Sequence, residues 1–274
     1  MSAVLIVSDI DGTMMGPGEK INGVCDSVDR LHRLGYYLTL ATAKSIYEIM
    51  GLLDKICLKE SFLAAIVESG GAIYASPGVL LDPSMEVNVM GSKLEVLELG
   101  ARLSDYEDEI DEIIVNAGCE DMADRLSRID PYKASKYTRL PLPSAKLATM
   151  REYMDVVWTY RRECIDSIAS LAEKRGFYVF TTRRSIHIGL HGGKHVALRS
   201  LLDQISYRGI EEVIGIGDTN ADKEMLELVD KAIVIPQSNG ELAVDLQRSD
   251  YTVAPYSAPT GWVYSVNLIT LKLI

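Results

Sequence analysis

This sequence predicts an α/β fold: a Rossmann-like, parallel-sheet core carrying an inserted α+β domain. Three observations carry that reading. Short, β-branched apolar runs alternate with segments of helical spacing in the first third of the chain, and the same alternation resumes in the last third. Between residues 83 and 186 the rhythm breaks into an acidic stretch and a proline-punctuated one. A chain of 274 residues, 47% hydrophobic, is long enough to bury a large core and form a second domain.

The first strand is "AVLIVS", residues 3–8, apolar at consecutive positions as a strand covered on both faces should be. Val24, Val28, Leu31 and Leu34 then recur at helical spacing, and Gly35 stands where a helix-ending glycine belongs. "YYLTLAT" is a second strand, Ile46, Ile49, Met50 and Leu53 mark a second helix, and "FLAAIVES" is a third strand. Residues 1–82 form the first part of the core on this reading. The insertion, residues 83–186, holds "SDYEDEIDE", "RLPLPSAK" and a helix at 161–175. Residues 187–274 return to the core. There "SIHIGL" precedes a helix near 194–204, "EEVIGIGD" one near 221–229 and "AIVIP" one near 239–247, and a last helix begins near Thr260.

A formal net charge of −11 argues against nucleic acid or an anionic membrane as the main partner. The longest apolar runs are of strand length, well short of the roughly 18 residues of a membrane span, and "MSAVLIVSD" has no secretory-signal character. Cys25, Cys57, Cys119 and Cys164 stand far apart with no CxxC pair. They read as free thiols of a reducing cytoplasm.

The chemistry starts at "VSDIDGTMM", where Asp9 and Asp11 lie two apart at the end of the first strand and Gly12 lets the backbone turn. Side chains at i and i+2 of an extended chain point the same way, and like charges that close repel unless something neutralises them. An EF-hand loop starting at Asp9 would need Gly and Glu where Met14 and Lys20 stand, so a calcium loop is excluded. In parallel sheets ligands gather at the carboxyl ends of strands. "LATAKS" puts the Thr42 hydroxyl at such an end, "HGGKHVAL" opens a helix on Lys194, and "IGIGDTNAD" supplies Asp218 and then Asp222. A carboxylate pair, a hydroxyl, a lysine and a further acidic strand end make a magnesium-and-phosphate site.

With these motifs in this order the sequence resembles the haloacid dehalogenase-like phosphatase superfamily, and the long insertion looks like the C2 cap of its Cof-type branch. The resemblance implies that Asp9 is a nucleophile forming an aspartyl-phosphate, while Asp11 protonates the leaving oxygen and then activates water. It implies Thr42 and Lys194 as holders of the phosphoryl oxygens. Mg²⁺ would be held by Asp9, the backbone carbonyl of Asp11 and Asp218, with Asp222 as a further candidate ligand. The family's fourth motif commonly reads G-D-x-x-N-D; here Ala221 takes the Asn position and Asn220 lies one place early.

Narrower similarities point within the superfamily to the mannosyl-3-phosphoglycerate phosphatases. "REYMDVVW" looks like their R-E-Y-S-E-P-F segment, "VESGGAIY" like E-N-G-G-A-I, and "SAPTGW" like a C-terminal P-x-G-W. Lys44 follows the hydroxyl residue at their spacing. The implied substrate is a small phosphorylated sugar acid, mannosyl- or glucosyl-3-phosphoglycerate. Independently, residues 183–195 gather Arg183, Arg184, Lys194, His187, His191 and His195 in an acidic chain, as a site facing an anion would. Lys44, Arg151, Arg184 and His187 are the candidate substrate-binding residues. Other sugar-phosphate or phosphoglycolate phosphatases, a phosphomannomutase-type phosphotransferase and a non-catalytic sugar-phosphate-binding protein are the alternatives. Oligomeric state is not readable from the sequence.

Overall fold

The computed structural model describes residues 3–273. Strand β1 (Ala3–Ser8), helix α1 (Val24–Arg33), β2 (Tyr37–Ala41), α2 (Ile46–Leu52) and β3 (Ala64–Val67) follow one another as parallel strands with helical crossovers. The chain then turns back through β4 (Ala72–Ala75), β5 (Met85–Val89) and β6 (Ser92–Glu98), which pair antiparallel. The second layer system comprises α3 (Glu107–Asn116), β7 (Ala123–Arg125), α4 (Pro131–Thr138), α5 (Leu142–Ala148), β8 (Met154–Thr159), α6 (Arg162–Lys174), β9 (Tyr178–Thr181) and β10 (Ser185–Gly189). Return to the first sheet comes through α7 (Lys194–Gln204), β11 (Ile210–Gly217), α8 (Lys223–Leu226), β12 (Lys231–Val234), β13 (Thr252–Val253) and α9 (Thr260–Thr270).

Among the described residues these strands make a nine-stranded sheet, β13-β12-β11-β1-β2-β3-β4-β6-β5, and a four-stranded antiparallel one, β7-β8-β10-β9. The continuous apolar run of β1 has a plain cause. Ile6 packs with α1, α2 and α9 on one face, while Leu5 and Val7 pack with α7 and α8 on the other. In the smaller sheet Ile186 and Ile188 of β10 and Val157 of β8 pack under α3 and α6. By the two-residue period of a strand, His187 on β10 and Tyr178 and Phe180 on β9 fall on the opposite face.

Several expected boundaries move. β5 and β6, placed by the sequence reading in the insertion that began at 83, belong to the large sheet, so the change of sheet comes after Glu98. "SIHIGL", read as a returning core strand, is β10 of the small sheet, so the return comes after Gly189 instead of 186. The helix expected near 239–247 is only a 3₁₀ turn, Val244–Leu246. Asn239 bonds forward to both the backbone N–H and the carboxylate of Glu241, which favours a turn over a helix start. The helix near 221–229 shortens to a 3₁₀ turn followed by α8.

The free thiols are also corrected. Cys25 of α1 is bonded to Cys57 just beyond α2, and Cys119 to Cys164 of α6, with Cα–Cα distances of 5.0 and 5.9 Å. Both helices of the first pair lie on one face of the large sheet, a proximity that spacing in sequence does not reveal. The reducing cytoplasm loses its support from the thiols. No helix of the described residues is long and apolar enough to cross a membrane.

Candidate active site

Register brings the expected strand ends together. Ser8 pairs with Leu40 of β2 and Ile216 of β11, so Asp9, Thr42 and Asp218 emerge side by side at one edge of the sheet. Asp9 N–H donates to the Ile216 carbonyl at 2.9 Å, fixing the first residue beyond the strand. Beneath it, Trp262 Nε1 donates to Ser8 Oγ at 2.9 Å, and Ser8 Oγ donates to the Asp9 carbonyl at 2.7 Å. The glycine–tryptophan pair near the C-terminus thus supports the strand end that carries Asp9.

Lys194 is the first residue of α7 and is 4% exposed. Its Nζ lies 2.8 Å from Asp9 Oδ1 and 2.7 Å from Asp222 Oδ1. Burial opposes the ammonium charge, but Asp222 and Asp9 outweigh it and hold the lysine above its ordinary range. Asp9, Asp218 and Asp222 each offer an oxygen within 4.8 Å of the others, all three buried. Three carboxylates against one ammonium leave an excess of negative charge. Burial first, and then the neighbouring carboxylates, push Asp9 and Asp218 up. A hard divalent cation fits this surplus of buried oxygen ligands.

The three acids are not equivalent. Asp222 Oδ2 accepts from the backbone N–H groups of Asp218 and Thr219 and from Thr219 Oγ1, at 3.2, 3.0 and 3.1 Å, while its Oδ1 meets Lys194. Both its oxygens are occupied by protein, so it orients Lys194 and the Asp218 loop. Asp218 Oδ1 accepts one bond, from Thr13 Oγ1 at 2.8 Å. Gly12 stands against this carboxylate at φ +84, where a Cβ would come within 2.2 Å of Oδ2. Asn220, one place off the usual motif, turns away and accepts from Asp245 N–H at 3.2 Å.

Asp11 points elsewhere: its Oδ2 is 2.9 Å from Lys44 Nζ, and its side chain is 57% exposed. Burial opposes the Lys44 charge, but Asp11 and Glu48 hold it above the ordinary lysine range. Lys44 is therefore tied to the second aspartate of the motif. Thr42 is buried, and its Oγ1 accepts from Lys44 N–H at 3.2 Å, leaving its own hydrogen without an acceptor among the described residues.

The remaining expected binding residues divide. Arg184 lies in the turn before β10 with its guanidinium 5.6 Å from the centre of the Tyr160 ring. His187 stacks on Phe180, centroids 4.0 Å apart, with Nδ1 unpartnered. Burial, then the Arg151 and Lys194 charges, push its pKa down to about 3, so it is a neutral hydrogen-bonding group where the sequence suggested a cation. His191, similarly lowered to about 4, accepts from Gly193 N–H at 3.2 Å and braces the turn before Lys194. The Arg151 side chain is 2% exposed and bound to the protein's own carbonyls and carboxylates, where the sequence suggested a substrate clamp.

Sequence reasoning missed Glu68, Tyr178 and Thr13. Glu68 is 1% exposed and accepts N–H bonds from Glu152, Tyr153 and Met154 at 3.0, 2.9 and 2.7 Å. Tyr178 brings a ring from the small sheet to Gly193, within 3.0 Å of where a Cβ there would sit. Thr13 was visible within "DIDGT" but had no assigned partner.

A family model described as haloacid dehalogenase-like hydrolase matches residues 6–244. Over 271 residues the chain is 32% identical to a mannosyl-3-phosphoglycerate phosphatase from Aeropyrum pernix, covering 98% of this chain and 95% of that one. It is 23% identical to a glucosyl-3-phosphoglycerate/mannosyl-3-phosphoglycerate phosphatase from Persephonella marina, covering 96% of each. A haloacid dehalogenase-like hydrolase from Bacteroides thetaiotaomicron shares the fold with a TM-score of 0.68 at 17% identity, covering 97% of this chain and 98% of that one.

Proposed function

The chain belongs to the haloacid dehalogenase-like hydrolase family, and from that premise we propose that it is a Mg²⁺-dependent phosphatase of mannosyl- or glucosyl-3-phosphoglycerate. The observation that carries the reading is the Lys194 ammonium bridging Asp9 and Asp222 beside Asp218, in a chain 32% identical over nearly its whole length to a mannosyl-3-phosphoglycerate phosphatase. Asp9 attacks the phosphorus, and the bond to the glycerate oxygen breaks as that oxygen takes a proton from Asp11. Water then attacks the aspartyl-phosphate, giving a proton to Asp11 and returning Asp9 with inorganic phosphate. Lys194 and the Thr42 hydroxyl hold phosphoryl oxygens through both steps. Asp9, Asp218 and the Asp11 carbonyl would hold Mg²⁺, which supplies charge neutralisation for the phosphoryl oxygens. The small sheet forms the cap. Its Tyr178 and neutral His187 suit sugar hydroxyls, and Lys44 and Arg184 are the cations proposed for the substrate.

Phosphate release from both glycosyl-phosphoglycerates, simple hexose phosphates and phosphoglycolate, each with Mg²⁺, tests the reading. The glycosyl-phosphoglycerates should give the highest kcat/KM. Preference for a plain hexose phosphate, or phosphoryl transfer to a sugar without release of phosphate, would contradict it.

A further inference from the structure

Asp11 begins a row of charges that runs out of the phosphate site. From Asp11 to Lys44 is 2.9 Å, from Lys44 to Glu48 3.4 Å, from Glu48 to Arg151 3.5 Å and from Arg151 to Glu68 3.6 Å. The signs alternate along the row, and every side chain except that of Asp11 is buried. Lys44, Glu48 and Glu68 belong to the core, Arg151 to the insertion.

Arg151 makes two further bonds. Its Nη2 donates at 2.9 Å to the carbonyl of Ala43, the residue between Thr42 and Lys44, and its Nε donates at 2.9 Å to the Met154 carbonyl. Glu68 receives the N–H groups of Glu152, Tyr153 and Met154. One turn of the insertion, residues 151–154, is therefore cross-tied to the loop presenting Thr42 and Lys44.

We propose that Arg151 is a positioning residue for phosphoryl transfer: by seating on the Ala43 carbonyl and between Glu48 and Glu68, it holds Thr42 in place and Lys44 against Asp11. This rests on the phosphatase reading but not on the sugar-glycerate substrate. Without the guanidinium, Glu48 and Glu68 become two buried carboxylates with no cation between them, and Lys44 is left to serve both Glu48 and Asp11. Interactions among buried charges are weakly screened, so the imbalance falls on the Lys44–Asp11 contact. A planar fork meets a carbonyl and two carboxylates at once, which a lysine cannot do.

The test is steady-state kinetics of Arg151→Gln and Arg151→Lys with Mg²⁺, per folded molecule and well below Tm, on an aryl phosphate and a glycosyl-phosphoglycerate. Arg151→Gln should lower kcat on both by the same factor, about ten- to a hundredfold, with KM little changed. Arg151→Lys should recover part of the loss. A purely structural role would lower Tm and leave kcat of the folded protein alone. Wild-type kcat on the aryl phosphate in Arg151→Gln overturns the proposal, and so does a loss confined to the carboxylate-bearing substrate. If Arg151→Gln does not fold, full kcat in Arg151→Lys overturns it. Should the wild type turn over only the aryl phosphate, the substrate reading fails, and the aryl phosphate alone decides the role of Arg151.

Discussion

Replacing Gly12 with alanine separates backbone strain from damage to the Asp218 carboxylate proposed to hold the metal. Gly12 sits at φ +84, and its added Cβ would lie 2.2 Å from Asp218 Oδ2 and 2.8 Å from Cγ. Gly18, in the same loop region at φ +73, has no atom within 4 Å of where an added methyl would sit, and serves as the control. Positive φ costs an alanine about 1–2 kcal/mol in either place. The collision adds about 1–3 kcal/mol at Gly12 if the surroundings hold. At roughly 2–4 °C per kcal/mol for a chain near this size, Gly12→Ala should melt several degrees below Gly18→Ala. If Asp218 swings aside instead, the loss moves into catalysis, where a displacement of about 1 Å can cost about 10²-fold. Calorimetry and Mg²⁺ titrations of aryl phosphate turnover would follow both routes. Equal melting and equal Mg²⁺ requirement in the two variants would show that the Gly12 approach to Asp218 carries no cost.

Asp11→Asn should lower turnover of a poor leaving group by roughly 10²–10⁴ and that of a nitrophenyl phosphate much less, in single-turnover measurements of leaving-group release; equal losses would remove Asp11 as the acid. Because Asp9 and Asp218 are raised in the fold, the native state binds protons more tightly than the unfolded chain. Metal-free stability should therefore fall as pH rises from the ordinary carboxylate range through neutral, and excess Mg²⁺ should flatten that slope in urea unfolding curves. A metal-free stability that rises over the same interval would show that these carboxylates are not raised. With the paired cysteines 32 and 45 positions apart in sequence, loop-closure entropy assigns each disulfide about 4 kcal/mol. Cys25→Ser/Cys57→Ser should lose much of that in urea unfolding, and four titratable thiols in the unreduced, denatured wild type would contradict the pairing.

Legibility of the sequence followed the range of the interactions. Asp9, Asp11, Thr42, Lys194 and Asp218 were visible because each ends or begins an element whose own pattern is local. The alternation in "SIHIGL", apolar Ile186 and Ile188 around polar His187, marked a strand with one face open, unlike the continuous run of β1. It was the available sign that β10 belongs to an antiparallel sheet. "MEVNV" in β5 alternates in the same way at the edge of the large sheet. Arg151 read as a substrate-binding candidate, and its contacts with Glu48 and Glu68 were not legible because those carboxylates lie about a hundred residues earlier and are charged side chains in the interior. His187 and His191 misled because charge was counted without burial, which pushes both pKa values down.

Asp9 is the residue proposed to carry the phosphoryl group. Asp11→Asn protein, in which the proposed water-activation step should be slow, can be mixed with Mg²⁺ and a nitrophenyl phosphate, quenched, reduced with borohydride and analysed by peptide mass spectrometry. An acyl phosphate at Asp9 would be reduced to homoserine, so that conversion at residue 9 alone, dependent on both substrate and Mg²⁺, is the predicted result. Conversion at another carboxylate, or release of nitrophenol in a stoichiometric burst with Asp9 recovered intact, would contradict the account.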